Sequence, residues 1–188
     1  MRQNAPGANG LGGMSAIVVH FAVRGTHKMK GSQKVIDALN DALHEELTAI
    51  NQYFLHAEMC ENWHYHRLGD LIKKQSIGEM KHAEEIIERI LFLDGSPNLT
   101  KHIDLTVGKN VKEQVESDLK LEVNAVEMYN RFAELARQEK DNASRELFER
   151  LLKDEEEHVD WLEAQVHQMN ELGYERYLSQ QITEEDEK

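Results

Sequence analysis

The sequence predicts an all-α protein: a four-helix bundle with one long crossover between the second and third helices and a short fifth helix at the C-terminal end. Three observations predict it. Only 2 of the 188 residues are proline, while Glu, Leu, Ala and Lys abound, a helix-forming composition. Four stretches of roughly 30 residues carry apolar positions at alternating spacings of three and four. The chain also aligns with itself at an offset of 76 residues, so it holds two copies of one helical hairpin.

The first stretch, about 32–62, puts Leu39, Leu43, Glu46, Ile50 and Tyr53 on one inward seam. The second, about 65–93, does the same with Ile72, Glu79, His82, Ile86 and Leu93. The third, about 110–138, carries Leu119, Glu122, Val126, Tyr129 and Ala133, and the fourth, about 142–171, carries Leu151, Glu155, His158 and Leu162. Turns are expected near Trp63, within "ENWHYHRLG", and near Gln138, just before "KDNAS". Between the hairpins, "DGSPNLTKHIDLTVGKN" (94–110) is long enough to return along a whole helix: fully extended it spans ~55 Å, against ~45 Å for a 30-residue helix. Beyond Gly173, residues 172–182 form the short fifth helix, and the acidic end 183–188 is expected to fray.

The formal charge is −13, and residues 1–28 contribute Arg2, Arg24 and Lys28 with no acid. The remainder therefore carries −16, a surface that repels nucleic acid and anionic membranes and draws in cations. Cys60 is the single cysteine, which excludes an intrachain disulfide and a cysteine-only metal site and fits a reducing cytoplasm. The longest apolar run, "AIVVHFAV" (16–23), is far short of the ~18 residues that a membrane span needs and has no small-x-small site after it. Residues 1–28 read as a disordered leader or non-native extension ahead of a domain over 29–188.

The chemistry lies where the seams ask for leucine and find something else. Glu46, Glu79 and His82 map at the 76-residue offset onto Glu122, Glu155 and His158, and "ELTAINQY" (46–53) maps onto "EVNAVEMY" (122–129). Folding each hairpin at its turn brings the glutamates to one level. A buried, unpartnered carboxylate costs several kcal/mol, and the seams offer no comparable set of inward Lys or Arg. Two divalent ions would balance four carboxylates, and an oxygen-rich site with imidazoles suits iron or manganese. One Glu from each of two helices plus Glu-x-x-His from each of the other two is a di-iron carboxylate pattern. Tyr53 and Tyr129 are either plain core tyrosines or hydrogen-bond or redox partners of that site, and His64 and His66, near a turn, read as solvated. Met80 lies roughly 130° round the helix from the mean of Glu79 and His82, so it points out of the bundle when they point in.

Residues 29–57 ("MKGSQKVIDALNDALHEELTAINQYFLHA"), 76–99 ("SIGEMKHAEEIIERILFLDGSPNL") and 151–163 ("LLKDEEEHVDWLE") resemble the bacterioferritins, the haem-containing bacterial branch of the ferritin superfamily. The resemblance implies a ferroxidase of the iron-storage type, oxidising Fe²⁺ with O₂ or H₂O₂ inside a homo-oligomeric shell of 24 subunits. It implies that Glu46 and His82 are terminal ligands of one iron, Glu122 and His158 of the other, and that Glu79 and Glu155 bridge. It makes Met80 an axial ligand of a haem b shared across a two-fold axis, with a ferredoxin as the class of reductant for iron release. Lys73, Lys74 and Gly78 depart from family members that carry acidic or histidine residues facing the cavity on this helix, which argues against an accessory inner-surface iron site. Two other readings stay open: a di-iron peroxidase or oxidase without storage, like the rubrerythrins, and a haem-binding electron-transfer bundle. DNA-coating mini-ferritins rank lowest, since they place metals between subunits and lack the internal duplication.

Overall fold

The computed structural model describes Met1 and residues 30–182; the expectations for the leader beyond Met1, for Met29 as first residue of the domain and for the end 183–188 lie outside the described residues. Its elements are α1 (Gln33–Asn62), α2 (His66–Phe92), α3 (Val111–Gln138), α4 (Asn142–Leu172) and α5 (Tyr174–Ser179). α1 packs along α2 and α3 along α4, and the two hairpins meet through α1 and α3. The architecture is the predicted one, and no strand occurs among the described residues. None of the helices is long and apolar enough to cross a membrane.

Local chemistry sets the helix ends. α1 stops at Trp63, and His64 takes a left-handed turn conformation (φ 63°) that returns the chain into α2. At α3, Asn110 accepts the Glu113 amide at 3.0 Å, an N-cap that satisfies a donor the helix cannot. At α4, Asp141 accepts the Ser144 amide at 3.0 Å and the Ser144 hydroxyl at 2.8 Å. Arg89 of α2 reaches the same cap, 2.6 Å from Asp141 and 2.8 Å from the Ser144 oxygen, and so ties the two hairpins at this end. Gly173 (φ 83°) breaks α4 from α5.

Residues 94–110 form the full-length crossover, and three polar side chains of α1 hold it. Asn40 accepts the Asn98 amide at 2.7 Å, Gln52 the Thr106 amide at 3.0 Å, and His56 Nε2 the Gly108 amide at 3.2 Å. Both series of numbers rise together, so the crossover runs alongside α1 in the same direction. At Gly108 a Cβ would fall 2.2 Å from the backbone nitrogen of Gln114, which leaves glycine as the residue that fits.

The hydrophobic core is in two parts. One contains Leu39, Leu43, Ile86, Ile90, Tyr129, Phe148 and Leu151; the other contains Tyr53, Ala57, Leu68, Ile72, Val115, Leu162 and Tyr177. Along every long helix the change from one part to the other comes at the glutamate and histidine positions of the sequence pattern. Of the predicted seam residues, Ile50, Leu119, Val126 and Ala133 are half-buried, because the core is narrower than the repeat suggests.

Candidate metal centre

Between the two parts of the core lies a layer of ionisable side chains. Glu46 comes from α1, Glu79 and His82 from α2, Glu122 from α3, and Glu155 and His158 from α4. The structure brings all six together, with the four glutamates at 1–3% relative exposure. Two groups of four converge, each with its candidate ligand atoms within 4.8 Å of one another: Glu46, Glu79, His82 and Glu155, and then Glu79, Glu122, Glu155 and His158. Glu79 and Glu155 belong to both.

Both histidines enter through Nδ1. His82 Nδ1 lies 2.8 Å from Glu79, 3.2 Å from Glu155 and 3.5 Å from Glu46. His158 Nδ1 lies 3.0 Å from Glu79, 3.1 Å from Glu155 and 3.8 Å from Glu122. The rings stack with centroids 6.2 Å apart and planes 23° from parallel. Despite this crowding, both oxygens of Glu79, Oε1 of Glu155 and Nδ1 of His82 are buried without a hydrogen-bond partner. Native interiors rarely leave such atoms unsatisfied. Each belongs to a residue in one or both of the two groups whose candidate ligand atoms lie within 4.8 Å of one another, a spacing at which a single cation can be held by the whole group.

The electrostatics say the same. Burial pushes the carboxyls of Glu46 and Glu122 well above the usual carboxylate range; the histidines beside them oppose this, and the charges of Glu155 and Glu79 reinforce it. Burial also acts on Glu79 and Glu155, but contacts from both histidines outweigh it, taking Glu79 below its ordinary value and Glu155 down to about 2. Burial would push the imidazoles down; the surrounding carboxylates override it, driving His82 far above the ordinary imidazole value and His158 up to about 12. The site thus holds positive charge as protons, and cations compete for the same positions.

The two tyrosines are hydrogen-bond partners of the site. Tyr53 on α1 donates to Glu122 on α3, and Tyr129 on α3 donates to Glu46 on α1, so each phenol crosses from one hairpin to the other hairpin's glutamate. Burial and the neighbouring glutamate charge hold both phenols well above their ordinary value, keeping them protonated as donors. A second buried network had no signal in the seams. Asp118 accepts from Gln52 at 2.8 Å and lies 3.0 Å from His56 Nδ1 through both oxygens. Since His56 Nε2 accepts the Gly108 amide, its proton sits on Nδ1 and is donated to Asp118. A Gln and a His four residues apart on α1 were the one sequence hint, but Gln52 and His56 lie off the predicted seam, and only the structure shows that both are buried.

The remaining expectations resolve simply. Met80 is 56% exposed, outside the bundle, in a groove of about 700 Å³ lined by Leu47, Ile50, Ile77, Ala83 and Ile87 together with the charged Lys81, Glu84 and Glu88. Its mainly apolar lining and exposed thioether suit a planar apolar ligand that takes a soft donor. His64 is exposed, whereas His66 is half-buried with Nδ1 2.6 Å from Glu61. Cys60 is fully buried beside Gln114, and burial pushes its thiol up to about 12.

The chain is similar to known proteins. Residues 36–172 match the family described as a ferritin-like domain. The chain is 46% identical to the bacterioferritin of Brucella melitensis over 149 residues, covering 79% of this chain and 92% of that protein. It is 41% identical to the bacterioferritin of Mycolicibacterium paratuberculosis over 155 residues, covering 82% of this chain and 98% of that one. Among solved structures, Mycobacterium tuberculosis bacterioferritin, BfrA, superposes with a TM-score of 0.81 at 42% identity, covering 82% of this chain and 98% of the other.

Proposed function

The chain belongs to the bacterioferritins, within the ferritin-like proteins, and from that premise we propose that it stores iron and oxidises Fe²⁺ at the buried six-residue centre. Fe²⁺ is the substrate. Two ions, each giving one electron, reduce O₂ with two protons to H₂O₂, or reduce H₂O₂ with two protons to two waters. In this reading Glu46 and His82 hold one iron, Glu122 and His158 the other, and Glu79 and Glu155, common to both groups, lie between them. Holding both ions close together makes a two-electron step intramolecular, and four carboxylates offset the positive charge that rises on oxidation. Tyr53 and Tyr129 orient Glu122 and Glu46. The observation that carries the proposal is the set of buried, unsatisfied ligand atoms shared by Glu79, Glu155 and His82.

Ferric product then accumulates as mineral within a shell of 24 copies. Exposed Phe54, Leu91, Phe92, Leu99 and Ile182 supply apolar surface for contacts between copies. In this reading Met80 and the groove around it would hold a haem b shared between two copies, and the haem would supply one-electron transfer for iron release, with a ferredoxin-class reductant. Residues 29–188 are the proposed extent of the functional domain.

Anaerobic Fe²⁺ titration followed by rapid mixing with O₂ or H₂O₂ tests the centre. The expected result is a fast phase of two Fe²⁺ per chain, lost in Glu79→Ala, then slower oxidation to a soluble ferric product. A fast phase that turns over without retaining ferric product would favour a di-iron peroxidase. With no fast phase in the unsubstituted protein, the ferroxidase reading fails. Haem addition should reach one per two chains, and Met80→Leu should abolish it.

A further inference from the structure

The internal duplication makes a prediction about the histidines that the chain does not keep. Position 154, one residue before Glu155, corresponds at the 76-residue offset to position 78, one residue before Glu79. Asp154 stands behind His82: its Oδ2 is 3.4 Å from Nε2, the nitrogen on the side of the ring away from the glutamates. Arg150, one turn back, lies 3.9 Å from the same Asp154 oxygen and pairs with Glu85 of α2, so the aspartate is held from both sides at the bundle surface. At the matched position stands Gly78, which has no side chain to offer His158. A Cβ built there would meet nothing within 4 Å, so a side chain has room at this position. Among the described residues, His158 makes its ion-pair and hydrogen-bond contacts through Nδ1 alone.

We infer that Asp154 is a positioning residue for His82, that Gly78 leaves His158 without one, and that the two metal positions of the centre are therefore unequal in affinity. A carboxylate on the outer nitrogen of a ligating imidazole fixes its tautomer, so that Nδ1 presents its lone pair, and restrains the ring. Once an arriving cation displaces the Nδ1 proton, the His82 ring is already oriented by Asp154, whereas the His158 ring must be ordered at that moment. The position built on Glu46 and His82 fills first, and the one built on Glu122 and His158 is the looser of the two. The six ligand residues are duplicated, and the asymmetry enters only through the residue beside each shared glutamate. The inference rests on the six-residue site being the metal centre.

Co²⁺ is a suitable probe, since it binds such sites and does not turn over with O₂. Metal-free protein is titrated with Co²⁺ and followed by visible absorption and calorimetry, alongside Asp154→Ala, Asp154→Asn, Gly78→Asp and Gly78→Ala. Two unequal steps are expected in the unsubstituted protein. Asp154→Ala should weaken the tighter step by about tenfold or more and leave the looser one in place. Asp154→Asn, which keeps an oxygen facing Nε2 without the charge, should retain most of the affinity. Gly78→Asp should tighten the looser step, and Gly78→Ala should not. Two equal steps, or an unchanged tighter step in Asp154→Ala, would overturn the inference while leaving the centre standing. No Co²⁺ binding by the unsubstituted protein would overturn both.

Discussion

Loading the centre with divalent cations should expel between two and four protons per pair of ions. With all four glutamates ionised and both imidazoles protonated, the six side chains would carry −2 in a buried layer. Protonating Glu46 and Glu122, the two carboxyls pushed up, brings the metal-free layer to zero: two imidazolium charges against ionised Glu79 and Glu155. Two M²⁺ ions with four carboxylates are also neutral, so loading exchanges up to four protons for two cations. The lower bound is two, because His82 and His158 are held far above pH 7 in the metal-free protein and must be neutral to bind a metal through Nδ1. The sign follows: these groups hold protons at neutral pH, so raising the pH removes the competitor and strengthens metal binding. Each proton released changes the overall binding constant tenfold per pH unit, about 1.4 kcal/mol, hence roughly 100-fold for two protons and 10,000-fold for four. Anaerobic Zn²⁺ titrations at pH 7, in buffers of differing ionisation enthalpy, read the number directly. Release of fewer than two protons per pair of ions would refute the argument, for the imidazoles would then already be neutral between their carboxylates.

Removing one hydroxyl from the site should be felt in stability as well as in metal binding. Tyr129→Phe leaves the buried Glu46 oxygen without its donor, and the metal-free protein should lose about 1–3 kcal/mol in denaturant unfolding, with the loss reduced once Zn²⁺ occupies the site. Phe148 is fully buried against Tyr129 and Phe132, with ring centroids 6.1 and 5.6 Å away; Phe148→Ala should cost about 3–5 kcal/mol, read from the shift in unfolding midpoint. Asp141→Ala removes both the α4 cap and the partner of Arg89, for an expected loss of about 2 kcal/mol; an unchanged midpoint would show that the cap is not what starts α4. Gly78→Ala sits inside α2 with open space around its new methyl, so it should raise stability by about 0.5–1 kcal/mol, and a lower melting temperature would mean that the space is needed.

Much of this molecule is written in local periodicity. The 3.6-residue repeat decides which face a residue occupies, whatever packs against it. That is why Glu46, Glu79, His82, Glu122, Glu155 and His158 could be assigned inward and Met80 outward from spacing alone, and why the duplicated hairpin placed both turns within a few residues. The bounds of α5 were less legible: the predicted 172–182 shrinks to Tyr174–Ser179, because Gly173 and the packing of Tyr177 decide where so short a helix forms. What tertiary structure decided is how one helix sits against another, since periodicity carries no information on axial register between elements. Tyr53 finds Glu122 from 69 residues away and Tyr129 finds Glu46 from 83, and only the packed register selects those partners over mere burial. The same holds for His56 and Asp118, whose buried pair fastens the crossover through the Gly108 amide, a contact between three segments that no single seam contains. The sequence by itself determined the six candidate ligands and the face they occupy. Tertiary structure alone decided the direction of each imidazole and the partner of each phenol, because those depend on the distances between helices that the chain brings together only on folding.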